Sequence, residues 1–132
     1  MSPTTGIVVA HGGLAASLVK AAEGISGILG ALVPISNNGL GPGELQSRVE
    51  SSIGAGPAII FTDLASGSCT LAGRAAGRDR GSVVVVTGVS LPMLLDFLFH
   101  REMPPAELAD RIARKGQQGI QVLSDCEAGD GA

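Results

Sequence analysis

Gly6-Ile7-Val8-Val9-Ala10-His11-Gly12-Gly13 is an apolar, β-branched run that ends on a histidine and two glycines. It is short enough for one strand, its continuous apolarity suits burial on both faces, and the paired glycines mark a turn into the next element. The same pattern returns three times downstream. Ala31–Ile35, Ala58–Thr62 and Ser82–Thr87 are predicted strands, the last two almost unbroken in Val, Ile or Phe. Between the strands the apolar period lengthens to that of helices. Leu14, Leu18, Ala22 and Ile25 are expected on the buried face of a first helix, and Leu45, Val49 and Ile53 on that of a second. A third is predicted over Ser68–Arg78, covered by Leu71, Ala72, Ala75 and Ala76. Ser90 is the expected N-cap of a fourth, with Pro92 in its first turn and Met93, Leu94, Phe97 and Leu98 as its apolar stripe. Pro104-Pro105 stops that helix and starts a fifth, whose inward residues are Leu108 and Ile112.

Strands alternating with helices imply an α/β three-layer sandwich, a central parallel four-stranded sheet with helices on both faces. Past a hinge at Gly116-Gln117-Gln118-Gly119, the run Gly119–Leu123 predicts a short fifth strand. By spacing alone it can join its own sheet or a neighbouring chain's. The domain is expected to span residues 1–123, with a polar, Gly-rich, disordered tail over 124–132.

Composition narrows the function. The 132 residues suffice for one core. They are 45% hydrophobic and 16% charged, with a mean hydropathy of +0.37, which excludes a largely disordered chain. No apolar run reaches the roughly 20 residues of a membrane-spanning helix. No basic leader precedes the first strand, so a cytoplasmic location is expected. The nine basic residues are scattered from Lys20 to Lys115, with no Trp or Tyr for base stacking, so nucleic acid is not an expected partner. Cys69 and Cys126 fit no metal or redox spacing; they read as a small buried residue and a tail thiol.

Ligands and reactive groups gather at the carboxyl ends of parallel strands. There stand His11, then Asp63 within Thr62-Asp63-Leu64-Ala65-Ser66-Gly67-Ser68, and then Thr87-Gly88-Val89-Ser90. A neutral imidazole accepts a phosphoryl group on one nitrogen when the other holds the proton. A carboxylate on the second nitrogen fixes that tautomer and stabilises the cationic ring that forms. His11 and Asp63 supply those two parts. Backbone N–H groups of Gly12 and Gly13, and of Ser66, Gly67 and Ser68, are candidate donors to the phosphoryl oxygens at two helix starts. Each residue also has a structural reading. A histidine after a strand can be a packing residue, Asp63 can cap its turn, and Ser68 can be the N-cap of the third helix. His100, beside Arg101 at a helix end, reads as structural.

With these residues the chain resembles the IIA domain of the mannose family of the phosphoenolpyruvate-dependent sugar phosphotransferase system. The likeness rests on Gly6–Gly12, on Phe61-Thr62-Asp63 with Ser66-Gly67-Ser68, and on Thr87–Leu94, and it covers about residues 6–123. It implies that His11 takes a phosphoryl group from the histidine phosphocarrier HPr and passes it to a IIB component, with Asp63 orienting the ring. Membrane contact is then only indirect, through transporter components. It implies also that the domain itself requires no metal or other cofactor, and that it forms a homodimer in which Gly119–Leu123 crosses to the partner's sheet. The sequence departs from the family after the aspartate, where an aromatic residue and a Gly-Gly-Ser-Pro turn are common and this chain reads Leu64-Ala65-Ser66-Gly67-Ser68-Cys69.

Three other readings share parts of this pattern. The phosphocarrier subunit of a dihydroxyacetone kinase has the same fold but usually a serine after the histidine, where this chain has Gly12. A response-regulator receiver would use Asp63 as acceptor, yet it needs an acidic pair after the first strand to hold magnesium, and Ala10-His11-Gly12-Gly13 stands there. Gly39-Leu40-Gly41-Pro42-Gly43 is glycine-rich but lacks the Gly-Lys-Ser/Thr ending of a nucleotide phosphate loop.

Overall fold

The four β-branched runs form strands and the segments between them form helices in a computed structural model that describes residues 3–124. In chain order the elements are β1 (Thr5–Ala10), α1 (Leu14–Ser26), β2 (Leu32–Ser36), α2 (Pro42–Ile53), β3 (Ala58–Thr62), α3 (Ser68–Gly77), β4 (Val83–Val86), α4 (Leu91–Phe99) and α5 (Pro105–Gln118). The strands make one parallel sheet in the order β2-β1-β3-β4. Alternate side chains of β1 and β3 feed two separate cores. Val8, Ala10, Ile59 and Phe61 pack with α1, α4 and α5, and Ile7, Val9, Ala58 and Ile60 pack with α2 and α3. The three-layer α/β sandwich read from the sequence is therefore the fold. Phe61 meets Phe97 edge to face, with ring centroids 5.5 Å apart, an arrangement that adds about 0.5–1.5 kcal/mol to the burial of the two rings.

The buried faces of α2, α4 and α5 fall where their periodicity puts them. Two helices differ. On α1 the buried residues are Ala15, Val19 and Ala22, while Leu14 and Ile25 are exposed. On α3, Leu71 is exposed and the helix sits on the sheet through Cys69, Thr70, Ala72, Gly73 and Ala76. Two predicted caps also differ. Gly67, not Ser68, is the N-cap of α3. Ser90 occupies the N-cap position of α4 but makes no capping bond with its side chain, and its hydroxyl is buried without a partner among the described residues.

The C-terminal segment needs a larger correction. The expected hinge is helical, because α5 continues through Gly116 to Gln118. Gly116 serves close packing there: a Cβ on it would lie 2.7 Å from Met93 Sδ on α4. Gly119–Leu123 forms no strand with its own sheet, and Ile120, Val122 and Leu123 lie exposed. The expected tail from residue 125 onward, with Cys126, lies outside the described residues.

Candidate functional site

The strand order reverses direction between β1 and β3, since β2 lies beyond one and β4 beyond the other. Such a switch point opens a crevice at the carboxyl ends of the strands. Val9 is in register with Thr62, so the chains leaving these neighbouring strands carry His11 and Asp63 out side by side. Asp63 Oδ2 accepts two hydrogen bonds from His11, one from the backbone N–H at 2.9 Å and one from ring Nδ1 at 2.8 Å. A carboxylate can only accept, so the partner assigns the ring proton to Nδ1 and leaves the lone pair on Nε2. The His11 side chain is 44% exposed and that of Asp63 10%. The ring thus presents an open side to solvent while its orienting group is buried.

Burial works against charge on Asp63, but the bonds from the His11 backbone and ring, a bond from its own backbone and the His11 charge outweigh it. They hold the carboxyl below its ordinary value. Asp63 Oδ1 is buried and has no hydrogen-bond partner among the described residues.

The turn behind the ring is held from β2. Gly12, at φ +60°, lies in the left-handed region where glycine carries no steric penalty. Its N–H donates to Asn37 Oδ1 at 3.2 Å, and its carbonyl accepts from Ser36 Oγ at 2.7 Å. Of the two N–H groups proposed for phosphoryl oxygens on this side, that of Gly12 is therefore engaged by Asn37. Gly13 is the N-cap of α1. On the other side, Ser66 and Gly67 are exposed in the loop and Ser68 opens α3. Thr70 Oγ1 lies 2.7 Å from Thr62 Oγ1 and bonds the Leu64 carbonyl, which ties down that loop. The N-terminus of α3 adjoins the ring, because Cys69 Sγ is 3.7 Å from His11 Nδ1.

Cys69, Asn37 and Ser36 are the residues that sequence reasoning missed. The rule that reactive groups end strands applies equally to β2, whose end reads Ser36-Asn37-Asn38, and would have found two of them. For Cys69 the signal was weaker: a thiol in the first turn of a helix whose start was already a candidate. Cys69 is buried. That burial raises its thiol pKa, the Asp63 charge adds to the rise, and a hydrogen bond with Ser68 opposes it. The other histidine, His100, stands at the far end of α4, where its Nδ1 bonds the Asp96 carbonyl at 2.8 Å.

Comparison with solved structures gives the same architecture. A phosphotransferase system component EIIA from Streptococcus agalactiae is 22% identical with a TM-score of 0.83, covering 90% of this chain and 96% of that one. The mannose/sorbose specific IIA subunit of the phosphotransferase system from Enterococcus faecalis is 21% identical with a TM-score of 0.82, covering 93% and 96%. A PTS IIA protein associated with the fucose utilization operon from Streptococcus pneumoniae is 19% identical with a TM-score of 0.75, covering 92% and 96%. At these identities the likeness is one of fold. No curated protein sequence matches the chain. The family model described as PTS system fructose IIA component matches residues 6–113. With that match over most of its length, the chain belongs to the EIIA-man family of phosphotransferase-system IIA components.

Proposed function

We propose that this chain is a phosphocarrier that accepts a phosphoryl group on His11 Nε2 from the histidine phosphocarrier HPr and passes it to a IIB component. The observation that carries the reading is the 2.8 Å bond between His11 Nδ1 and Asp63 Oδ2, made by a ring whose other side is open. In the forward step Nε2 attacks phosphorus, the phosphorus–nitrogen bond of the donor breaks, and its electron pair returns to the donor imidazole. The His11 ring then carries both the Nδ1 proton and the phosphoryl group. Asp63 stabilises the positive charge that results. The N-terminus of α3, with Ser66, Gly67 and Ser68 beside it, offers N–H groups and a favourable dipole to the phosphoryl oxygens. Gly13 does the same at α1. No step calls for a metal or nucleotide.

Partner proteins would dock around the ring. Leu14, Leu64 and Leu71 are 43%, 56% and 65% exposed; Leu14 opens α1, Leu64 follows Asp63 and Leu71 lies one turn into α3. They supply apolar contact where the chain lacks the family's aromatic residue. None of the helices among the described residues is long and apolar enough to cross a membrane, which suits a carrier that meets its transporter in the cytoplasm. Incubation with phosphoenolpyruvate, enzyme I and HPr is expected to add one acid-labile phosphate, mapped by mass to His11. A base-labile phosphate on Asp63 would support the receiver reading instead, and no phosphate at all would overturn the carrier reading.

Assembly as a homodimer belongs to the same reading. β4 is an edge strand, and an uncovered edge favours addition of a further strand. The exposed Ile120, Val122 and Leu123 suit exchange onto the β4 edge of a second copy. Truncation after Gln118 is expected to turn a dimer into a monomer in sedimentation; a full-length chain that is already monomeric at micromolar concentration would overturn the exchange.

A further inference from the structure

His11 Nδ1, an Asp63 carboxylate oxygen and Cys69 Sγ all lie within 4.8 Å of one another. Nitrogen, oxygen and sulfur donors at such spacing make a mixed set that a proton-transfer pair alone does not require. Around a tetrahedral zinc ion, a nitrogen at about 2.0 Å and a sulfur at about 2.3 Å stand roughly 3.5 Å apart. The distance from Nδ1 to Sγ is 3.7 Å. A nitrogen and a carboxylate oxygen on the same ion stand about 3.3 Å apart, so the 2.8 Å separation of Nδ1 and Oδ2 needs to open by only about half an ångström. A second observation points the same way. The Asp63 side chain is nine-tenths buried, and its Oδ1 has no hydrogen-bond partner among the described residues, a costly arrangement that a cation held by both oxygens of this carboxylate would relieve.

We propose that His11, Asp63 and Cys69 form a site for one thiophilic divalent cation of the zinc type, and that filling it switches off His11 as a phosphoryl acceptor. Three protein donors leave a fourth position for water. Cys69 enters as the thiolate and gives its proton to solvent. The metal takes the Nδ1 lone pair, so a neutral ring must carry its proton on Nε2. That is the nitrogen the carrier reading assigns to phosphorus. The switch is therefore a change of tautomer, and this half of the proposal rests on the function proposed above.

The test uses the full chain, kept reduced by a phosphine. Titration with cobalt(II) as the probe is expected to show one equivalent bound with a thiolate-to-cobalt charge-transfer band. The band should vanish in Cys69→Ser and Cys69→Ala and persist in Cys126→Ser. Zinc affinity, read by competition with a chromophoric chelator, should fall at least about tenfold in Asp63→Asn, as loss of a ligand predicts. Nitrogen-15 shifts of the His11 ring should report the proton on Nδ1 without metal and on Nε2 with zinc. Absence of the band, its survival in both Cys69 variants, or zinc on Nε2 with the proton still on Nδ1 would overturn the site.

For the switch, preformed phospho-HPr freed of enzyme I serves as donor, and transfer with and without saturating zinc is compared within each protein. The wild-type rate should fall at least about tenfold with zinc and recover with a chelator, while the same ratio in Cys69→Ala stays near one. Equal inhibition of both proteins would overturn the switch. If the metal-free wild type takes no phosphate, the carrier reading fails and the switch with it, whereas the cobalt titration still decides the metal site.

Discussion

The molecule holds two histidine–aspartate pairs, and they differ in who else claims the carboxylate. His11 and Asp63 follow the ends of different strands, 52 residues apart, and Asp63 Oδ2 accepts from both the backbone and the ring of His11. His100 and Asp96 lie one turn apart on and just beyond α4, where Nδ1 bonds the Asp96 carbonyl at 2.8 Å and stands 3.4 Å from its carboxylate. Both carboxylate oxygens of Asp96 accept from Arg111 Nε on α5, at 3.2 and 3.1 Å. Asp96 thus has a permanent cation, and its charge is already matched whatever happens at the histidine. Asp63 has none among the described residues. Its negative charge is available to a ring that becomes positive, which separates a pair suited to group transfer from one that joins two helices.

The largest expected contrast is between the histidines themselves. His11→Ala should abolish phosphate uptake from phospho-HPr with the fold intact, and His100→Ala should take up phosphate with the wild-type stoichiometry, both read by intact mass. Equal uptake by the two variants would erase the distinction. Next come the carboxylates. Asp63→Asn should slow transfer by about 10²-fold or more, through loss of charge and a disturbed tautomer, while the remaining phosphate still maps to His11. Asp96→Asn should leave the rate within about twofold and instead cost about 1–2 kcal/mol in urea denaturation, because Arg111 loses its charged partner.

The smallest effect is in the pH dependence of stability. The folded-state pKa of Asp63 lies below its ordinary value of 3.8. The unfolded chain therefore binds the proton first as the solution is acidified, and the contribution of the pair is present above the ordinary value and lost as pH falls through the folded one. The stability difference between wild type and Asp63→Asn should accordingly be present above pH 3.8 and shrink as pH falls below it. A difference that persists undiminished at lower pH would mean that packing, not charge, holds the pair.

Much of this was legible in the sequence because two strong signals coincide. Unbroken β-branched runs specify doubly buried strands, and the polar residues that end them fall by topology on one rim, which is how His11 and Asp63 were found without coordinates. The misread features all concern small side chains or distant partners. On α1 the alternatives Leu14 and Ala15 differ by one position, and the turn at Gly12 sets the phase of the helix, so the larger residue faces solvent. On α3 the sheet accepts Ala72, Gly73 and Ala76 because the helix lies close to it, and size rather than hydrophobicity decides which face turns inward. Gly116 looks like a hinge until Met93 is placed against it. Cys69 looks like core until the fold sets its sulfur beside the ring.

The anchoring of Gly12 by Ser36 and Asn37 has a mechanical consequence. His11 is fixed behind by a bond from its own backbone to Asp63 just past β3, and ahead by a glycine whose N–H and carbonyl are both bonded to side chains at the end of β2. Its backbone is mounted on three strands at once, like an instrument on a three-point stand. The freedom that remains is rotation about two side-chain torsions, and the Nδ1 bond to Asp63 limits even these. A ring mounted in this way is aimed in advance, so that under the proposed carrier role the orientation needed for an in-line approach would be a property of the sheet as much as of the histidine.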